Sequence, residues 1–342
     1  MKGIFTMMTN NKNFQIQRIF AQNESYLLLI IIAYSIFVTF LNPSFLSPGN
    51  LFNLSKSSAS MGVLAIGVFV VLLSGGIDIS FTAIAISGQY IAVNVLIASG
   101  VDNIFFAFLI SCLVGVGLGA INGLLVSYFK IPTLIVTLGT LNVFHGLLLT
   151  VVGTKAVNSA QLPDCFKAFG ATNVFTLTGP DGVNYGLSIF TVIFITVALL
   201  TWFILKYTML GRGIYAIGGD VEAAERAGLN VARIKFFIYC YVGILAGIAG
   251  IIHVSLIRYS NPTYLVGTEL SVIAPVVLGG TRITGGVGTV IGTILGVAMI
   301  TLLNNSLILI GLSSFWQEFF TGLIVAISVS LSSYQSRRSV AI

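Results

Sequence analysis

Residues 71–80 read Val71-Leu72-Leu73-Ser74-Gly75-Gly76-Ile77-Asp78-Ile79-Ser80, and the pattern returns as Pro275-Val276-Val277-Leu278-Gly279-Gly280-Thr281-Arg282-Ile283-Thr284. In both, an apolar helix stops at a Gly-Gly pair, a charge follows two residues on, and another apolar run begins. Inside a bilayer, backbone freed by such a break is tolerated only against protein or a watery cavity. Paired interruptions in two halves of one chain are therefore a mark of a transport fold. The stretch predicts a duplicated set of spans around a central path.

The surrounding sequence has the composition this demands. Of 342 residues, 56% are hydrophobic and 8% charged, against about 25% charged in an ordinary soluble domain. Apolar stretches of spanning length run from 26–42 through 59–75, 80–99, 104–128, 133–152, 187–206, 234–256, 268–280 and 286–310 to 315–333. The expected fold is an all-α polytopic membrane protein of about ten transmembrane helices, in two related halves with broken helices.

The formal charge of +6 does not point to nucleic acid, because the basic residues sit in connections between apolar runs and not in a patch. They follow the positive-inside rule instead. The N-terminal tail, Lys130, the group Lys206, Arg212, Arg226, Arg233 and Lys235, and the pair Arg337 and Arg338 fall on one side if the spans alternate. That side is expected to be the cytoplasm. The resulting organisation is a cytoplasmic tail at 1–25 with no convincing cleavage site, one transmembrane domain at 26–333, and a cytoplasmic tail at 334–342. Within the domain, 153–186 is an outer loop with a turn at Gly179-Pro180-Asp181-Gly182, and 207–233 is a cytoplasmic loop.

Small residues recur at helix-contact spacing at Gly115, Gly119 and Gly123, at Gly243 and Gly247, and at Gly288, Gly292 and Gly296, where neighbouring helices can approach closely. Cys112, Cys165 and Cys240 make no paired or metal-binding pattern. Polar groups in apolar runs need partners or a path to line, so Asp78, Asn122, Arg282, Asn304 and Asn305 are candidate translocation-path residues. For Asp78 the alternative is capping of the following span, and for the asparagines interhelical bonding. His145 and His253 pack or line the path.

Charges and small residues concentrate together at Gly211-Arg212-Gly213-Ile214-Tyr215-Ala216-Ile217-Gly218-Gly219-Asp220-Val221-Glu222-Ala223-Ala224-Glu225-Arg226-Ala227-Gly228-Leu229-Asn230-Val231. Asp220 can cap a helix of about two turns, Arg226 can pair with Glu222, and Gly228 can end it. Ala223, Ala224 and Ala227 give it a smooth face suited to a groove on another protein. It lacks the large apolar residues of a lipid anchor.

The loop from Gly211 to Lys235, the run Leu73 to Ser80 and the run Val276 to Gly296, with Leu302-Leu303-Asn304-Asn305 and Gly311-Leu312-Ser313-Ser314 after them, resemble the ribose-type permease subunits of bacterial ABC monosaccharide importers, within the branched-chain-amino-acid/ribose permease superfamily. The resemblance covers about residues 45 to 333. It implies that Gly218, Gly219, Glu222, Ala223, Ala224, Arg226 and Gly228 form a coupling helix docking on a cytoplasmic ATP-binding-cassette ATPase. It further implies a second permease subunit and an extracytoplasmic solute-binding protein. No GxxxxGK[ST] loop occurs in this chain, so ATP and Mg would belong to the partner, and the chain itself is expected to hold no cofactor or metal and to be no enzyme. The outer loop and the Asn142 to Gly146 region depart from the ribose pattern, which leaves ribose one candidate among pentoses, hexoses and sugar-like signals. An ion-gradient-driven secondary carrier is the alternative.

Overall fold

The structure, a computed structural model, describes residues 23–178, 184–313, 315–324 and 326–327. The expected turn at Gly179 to Gly182, residues 1–22 of the N-terminal tail and the C-terminal tail lie outside the described residues. The elements are α1 Asn23–Leu41, α2 Pro48–Leu73, α3 Phe81–Ser99, α4 Ile104–Ser127, α5 Thr133–Leu147 prolonged by a wide turn at Leu148–Val152, and α6 Asp164–Ala171. They continue as β1 Asn173–Thr178, β2 Asn184–Ser188, α7 Ile189–Tyr207, α8 Met209–Gly219, α9 Val221–Arg226, α10 Val231–Ile257, α11 Glu269–Leu278 and α12 Val290–Leu309.

Among the described residues, 8 helices are long and apolar enough to cross a membrane, fewer than the ten expected. The run at 268–280 folds as α11, only 10 residues long, and the last expected span is helical at 315–324. The second span also begins at Pro48, well before 59. Ser47 accepts the Asn50 N–H to start it with Pro48 in the first turn. The polar stretch that masks it in hydropathy bonds back into the helix, Ser55 to Phe52 O and Ser57 to Leu54 O, while Lys56 Nζ donates to Gly170 O at 2.6 Å.

α2 and α10 form the centre of the molecule, 78% and 72% buried over their apolar windows, whereas α1 is 11% buried and packs on α12. The glycine spacing places the contacts. Gly115 of α4 meets Gly243 of α10 backbone to backbone, Gly119 meets Tyr239, and Gly247 meets Ser111 and Cys112. Gly292 and Gly296 of α12 likewise press on Gly279 and Pro275 in and just after α11, while Gly288 lies before α12, in a loop. In the connection between α5 and α7, α6 precedes a two-stranded antiparallel hairpin with Thr178 opposite Asn184. Asp102 accepts the Cys165 N–H at 2.7 Å, and the three cysteines are free.

Candidate functional site

The segment after α7 folds into two short helices. Thr208 accepts the Gly211 N–H to start α8, and Gly213 and Ile214 bury its inner face. Asp220 is extended (φ −159°) and its carboxylate takes the N–H groups of Glu222 and Ala223 at 2.9 and 3.0 Å, the cap expected for α9. Gly228 (φ +83°) stops that helix with a left-handed residue. Ala224 is buried with Ile217 and Val231, which fixes α9 to the body, while Glu222, Ala223, Arg226, Ala227 and Gly228 are exposed. Glu222 and Arg226 form no ion pair; Lys167 with Asp164 is the one pair found among the described residues. Gly219 is exposed with nothing near its missing Cβ, whereas Gly218 abuts backbone. The Gly-rich run before Asp220, which helix propensity disfavours, is helical nonetheless because α7, α10 and α2 pack against it.

The two breaks share a hydrogen-bond pattern, in a register one residue away from the sequence match. Gly75 N–H bonds Leu72 O and Gly76 N–H bonds Val71 O; Gly280 N–H bonds Val277 O and Thr281 N–H bonds Val276 O. The left-handed residues are Gly75 (φ +79°) and Gly280 (φ +90°). Arg282 therefore corresponds to Ile77 and not to Asp78. The two charges do not meet; Arg282 is half-buried and its N–H closes a loop onto Val287 O.

Asp78 sits at the end of the first break, 2% exposed, with its Oδ1 accepting both the N–H and the hydroxyl of Ser80 at 2.7 Å. Asn122, fully buried in α4, donates to the same Ser80 hydroxyl at 2.7 Å. Two candidate path residues thus converge through Ser80, which sequence reasoning missed. Asp78 Oδ2, Asn122 Oδ1 and the Tyr239 hydroxyl are buried without a partner among the described residues. Asp78 precedes α3 as a turn-forming carboxylate; Ser80, not Asp78, holds the cap position.

The remaining amides are elsewhere. Asn305 makes a reciprocal pair with Asn50 of α2, at 3.1 and 3.0 Å. Asn304 Oδ1 is buried and unpartnered among the described residues, and its carbonyl accepts from Gln317. His253 faces Gln89 at 3.2 Å and lies 5.4 Å from the Tyr264 ring; His145 meets Pro262 O at 3.2 Å.

Sequence reasoning also missed Glu269. It opens α11, half-buried, and its Oε1 takes the Thr82 hydroxyl at 2.5 Å and the Gly267 N–H at 2.9 Å. Thr82 lies in the first turn of α3, so the starts of the two interrupted helices meet at this carboxylate. Along the α11–α12 seam Gly279 lies against Gly292 and Pro275 against Gly296, so that Glu269 falls beside the length of α12 and not beyond its end. A carboxylate among apolar helices belongs against protein or water. The legible signal was the lone Glu between Gly267 and an apolar run.

Below the first break, a cavity of about 520 Å³ is lined by Gly75, Ser127, Lys130, Thr133, Glu225 and Lys235, among others, and so joins the break to α9. These groups can bind, orient and couple. No cluster of metal-ligating side chains exists among the described residues.

A family model described as branched-chain amino acid transport system / permease component matches residues 50–329. The ribose import permease protein RbsC of Bacillus subtilis is 37% identical over 331 residues, covering 96% of this chain and 98% of the relative. The autoinducer 2 import system permease protein LsrC of Yersinia enterocolitica is 34% identical over 286 residues, covering 81% and 74%. The galactose/methyl galactoside import permease protein MglC of Haemophilus influenzae is 30% identical over 345 residues, covering 95% and 97%. No solved structure matches the chain.

Proposed function

The chain belongs to the branched-chain amino acid transport system / permease component family, and from that premise we propose that it forms the translocation path of an ATP-binding-cassette importer for a monosaccharide or sugar-like solute. It is a transport subunit and not an enzyme. The observation that carries the reading is α9: a capped, bounded helix with an exposed small-residue face, tied to the body through one buried alanine. A helix of this kind is built to enter a groove on a partner, and a cytoplasmic ATPase carrying ATP and Mg is that partner. Gly219, Glu222, Ala223, Ala224, Arg226 and Gly228 form this docking segment, and Gly218 stands behind it, packed on the backbone of the body.

The orientation follows. The basic face that holds Lys130, Arg212, Arg226 and Arg233 is cytoplasmic, as are both termini of this inner-membrane protein, and the α6–hairpin loop meets an extracytoplasmic solute-binding protein. A second permease subunit completes the path.

Along the path, Asp78 and Asn122 supply unpartnered acceptors from the first half, Arg282 and Asn304 polar groups from the second, and the Asn305–Asn50 pair holds the walls together. Glu269 adds a carboxylate whose Oε2 has no partner among the described residues. Acceptors with free lone pairs suit the hydroxyl donors of a sugar.

The test is gentle extraction of the tagged chain from its native membrane, followed by mass spectrometry with stoichiometry. An ATPase subunit in the preparation supports the proposal. The tagged chain alone, still transporting in vesicles under an ion gradient, favours a secondary carrier.

A further inference from the structure

Three backbone segments from distant parts of the chain meet where α8 ends. Gly286, in the loop from the second break to α12, donates its N–H to Leu73 O, at the end of α2, at 2.9 Å. Gly218, in the last turn of α8, lies against both: a Cβ there would overlap Leu73 O and stand 2.5 Å from Gly286 N. Gly285 closes the triangle, its missing Cβ 2.7 Å from Gly75 Cα and 2.8 Å from Gly218 O. Tyr215, one turn back on α8, adds a bond from its hydroxyl to Gly288 O at 3.0 Å.

We propose that this junction of Gly218 with Leu73–Gly75 and Gly285–Gly286 transmits movement of the docking segment to both broken helices at once. The inference rests on the docking role of α9 proposed above.

Three features make the junction a transmission point. Only Asp220 separates α8 from α9, and it is bonded to both, its N–H to Ala216 O and its carbonyl to Ala224 N–H at 3.0 Å each. A push on α9 therefore reaches α8 through a fixed link. The contacts at the tip of α8 are main chain on main chain, without flexible side chains between them to absorb a small shift, and packed interfaces of this kind switch between arrangements instead of deforming smoothly. The two segments contacted are the first break and the loop that leads from the second break into α12. The first leads within a few residues to the Asp78–Ser80–Asn122 cluster and to Thr82, and Thr82 carries the movement to Glu269 at the start of α11. One lever thus addresses both sides of the path. Gly75, Gly285 and Gly286 hold φ values of +79°, +92° and +75°, which other residues adopt poorly.

The experiment uses the complete importer, permease with its ATPase and binding protein, in lipid vesicles with ATP available to the ATPase. Gly218→Ala is expected to retain the ATPase and to hydrolyse ATP, while uptake per ATP hydrolysed falls about tenfold or more. Gly117→Ala, a glycine of α4 with nothing within 4 Å of its Cβ position, is the control and keeps wild-type coupling. Where Gly218→Ala does not assemble, Gly75→Ala decides: its Cβ has room, 3.4 Å from Thr284 O, so the variant acts through the φ of +79° that alanine holds poorly at the junction; it too should hydrolyse ATP without matching uptake. Uptake per ATP within about twofold of wild type in the assembled variant overturns the junction's role. Loss of ATPase binding in assembled Gly218→Ala also overturns it, by making Gly218 a docking residue. A wild-type chain that holds no ATPase instead overturns the docking reading itself, and the junction's role with it.

Discussion

Replacing Asp220 with alanine tests the docking helix through its cap. The carboxylate takes two N–H groups that α9 otherwise leaves without partners, those of Glu222 and Ala223. Losing an N-cap costs about 1 kcal/mol, within a range of about 0.5–2. α9 has 6 residues, far below the roughly 12–15 at which an isolated helix becomes even marginal. Its order therefore depends on the cap and on Ala224 seated against Ile217 and Val231. A loss of about 1 kcal/mol changes the helical ratio about fivefold, and apparent affinity falls with the competent fraction. Titrating the ATPase against permease held in lipid discs should show binding weakened about twofold to fivefold by Asp220→Ala. Asp220→Asn, which keeps the acceptor, should bind like wild type. Wild-type affinity in Asp220→Ala refutes the cap argument; equal weakening in Asp220→Asn shows that charge, not capping, matters.

Arg226→Glu, or Gly219→Trp on the exposed end of α8, should abolish ATPase retention while the chain still inserts, as read by co-purification and membrane fractionation. Glu269→Gln should raise the solute concentration for half-maximal uptake about tenfold with the maximal rate less affected; an unchanged half-saturation would show that the carboxylate does not touch solute. Gly115→Leu should lower the unfolding temperature of the purified permease and cost at least about 1–3 kcal/mol, since any Cβ there overlaps Gly243 O. Burial and the neighbouring Asp102 push the Cys165 thiol up to about 12, so its thiolate is scarce below that pH. Maleimide labelling at pH 8 should be slow, rising with pH toward 12, and faster in Asp102→Asn, where the negative charge that opposes the thiolate is gone.

Hydropathy and the repeated Gly-Gly breaks made the helical membrane fold legible, and Asp220 with Gly228 located the short helix α9 to within a residue. The register of the repeat was not legible. The second break bends one residue later than the alignment of Gly-Gly pairs indicates, and that shift separates Arg282 from the position of Asp78. The start of α2 was hidden because serine hydroxyls bonded to their own helix count as polar in a hydropathy sum. Ser80 and Thr82 carried no mark in the sequence, since a hydroxyl acquires its role only from the carboxylate that the fold sets against it. The glycine junction was invisible for a related reason: Gly218 and Gly219 look alike in sequence, and only the fold puts backbone against one and open space beside the other.

The most direct test of the account is uptake of labelled monosaccharides into vesicles carrying this chain, with and without its ATPase and binding protein. Uptake that requires all components and ATP, is untouched by an uncoupler, and vanishes in Arg226→Glu is the result predicted. Uptake by the chain alone that collapses with the uncoupler would contradict the assignment.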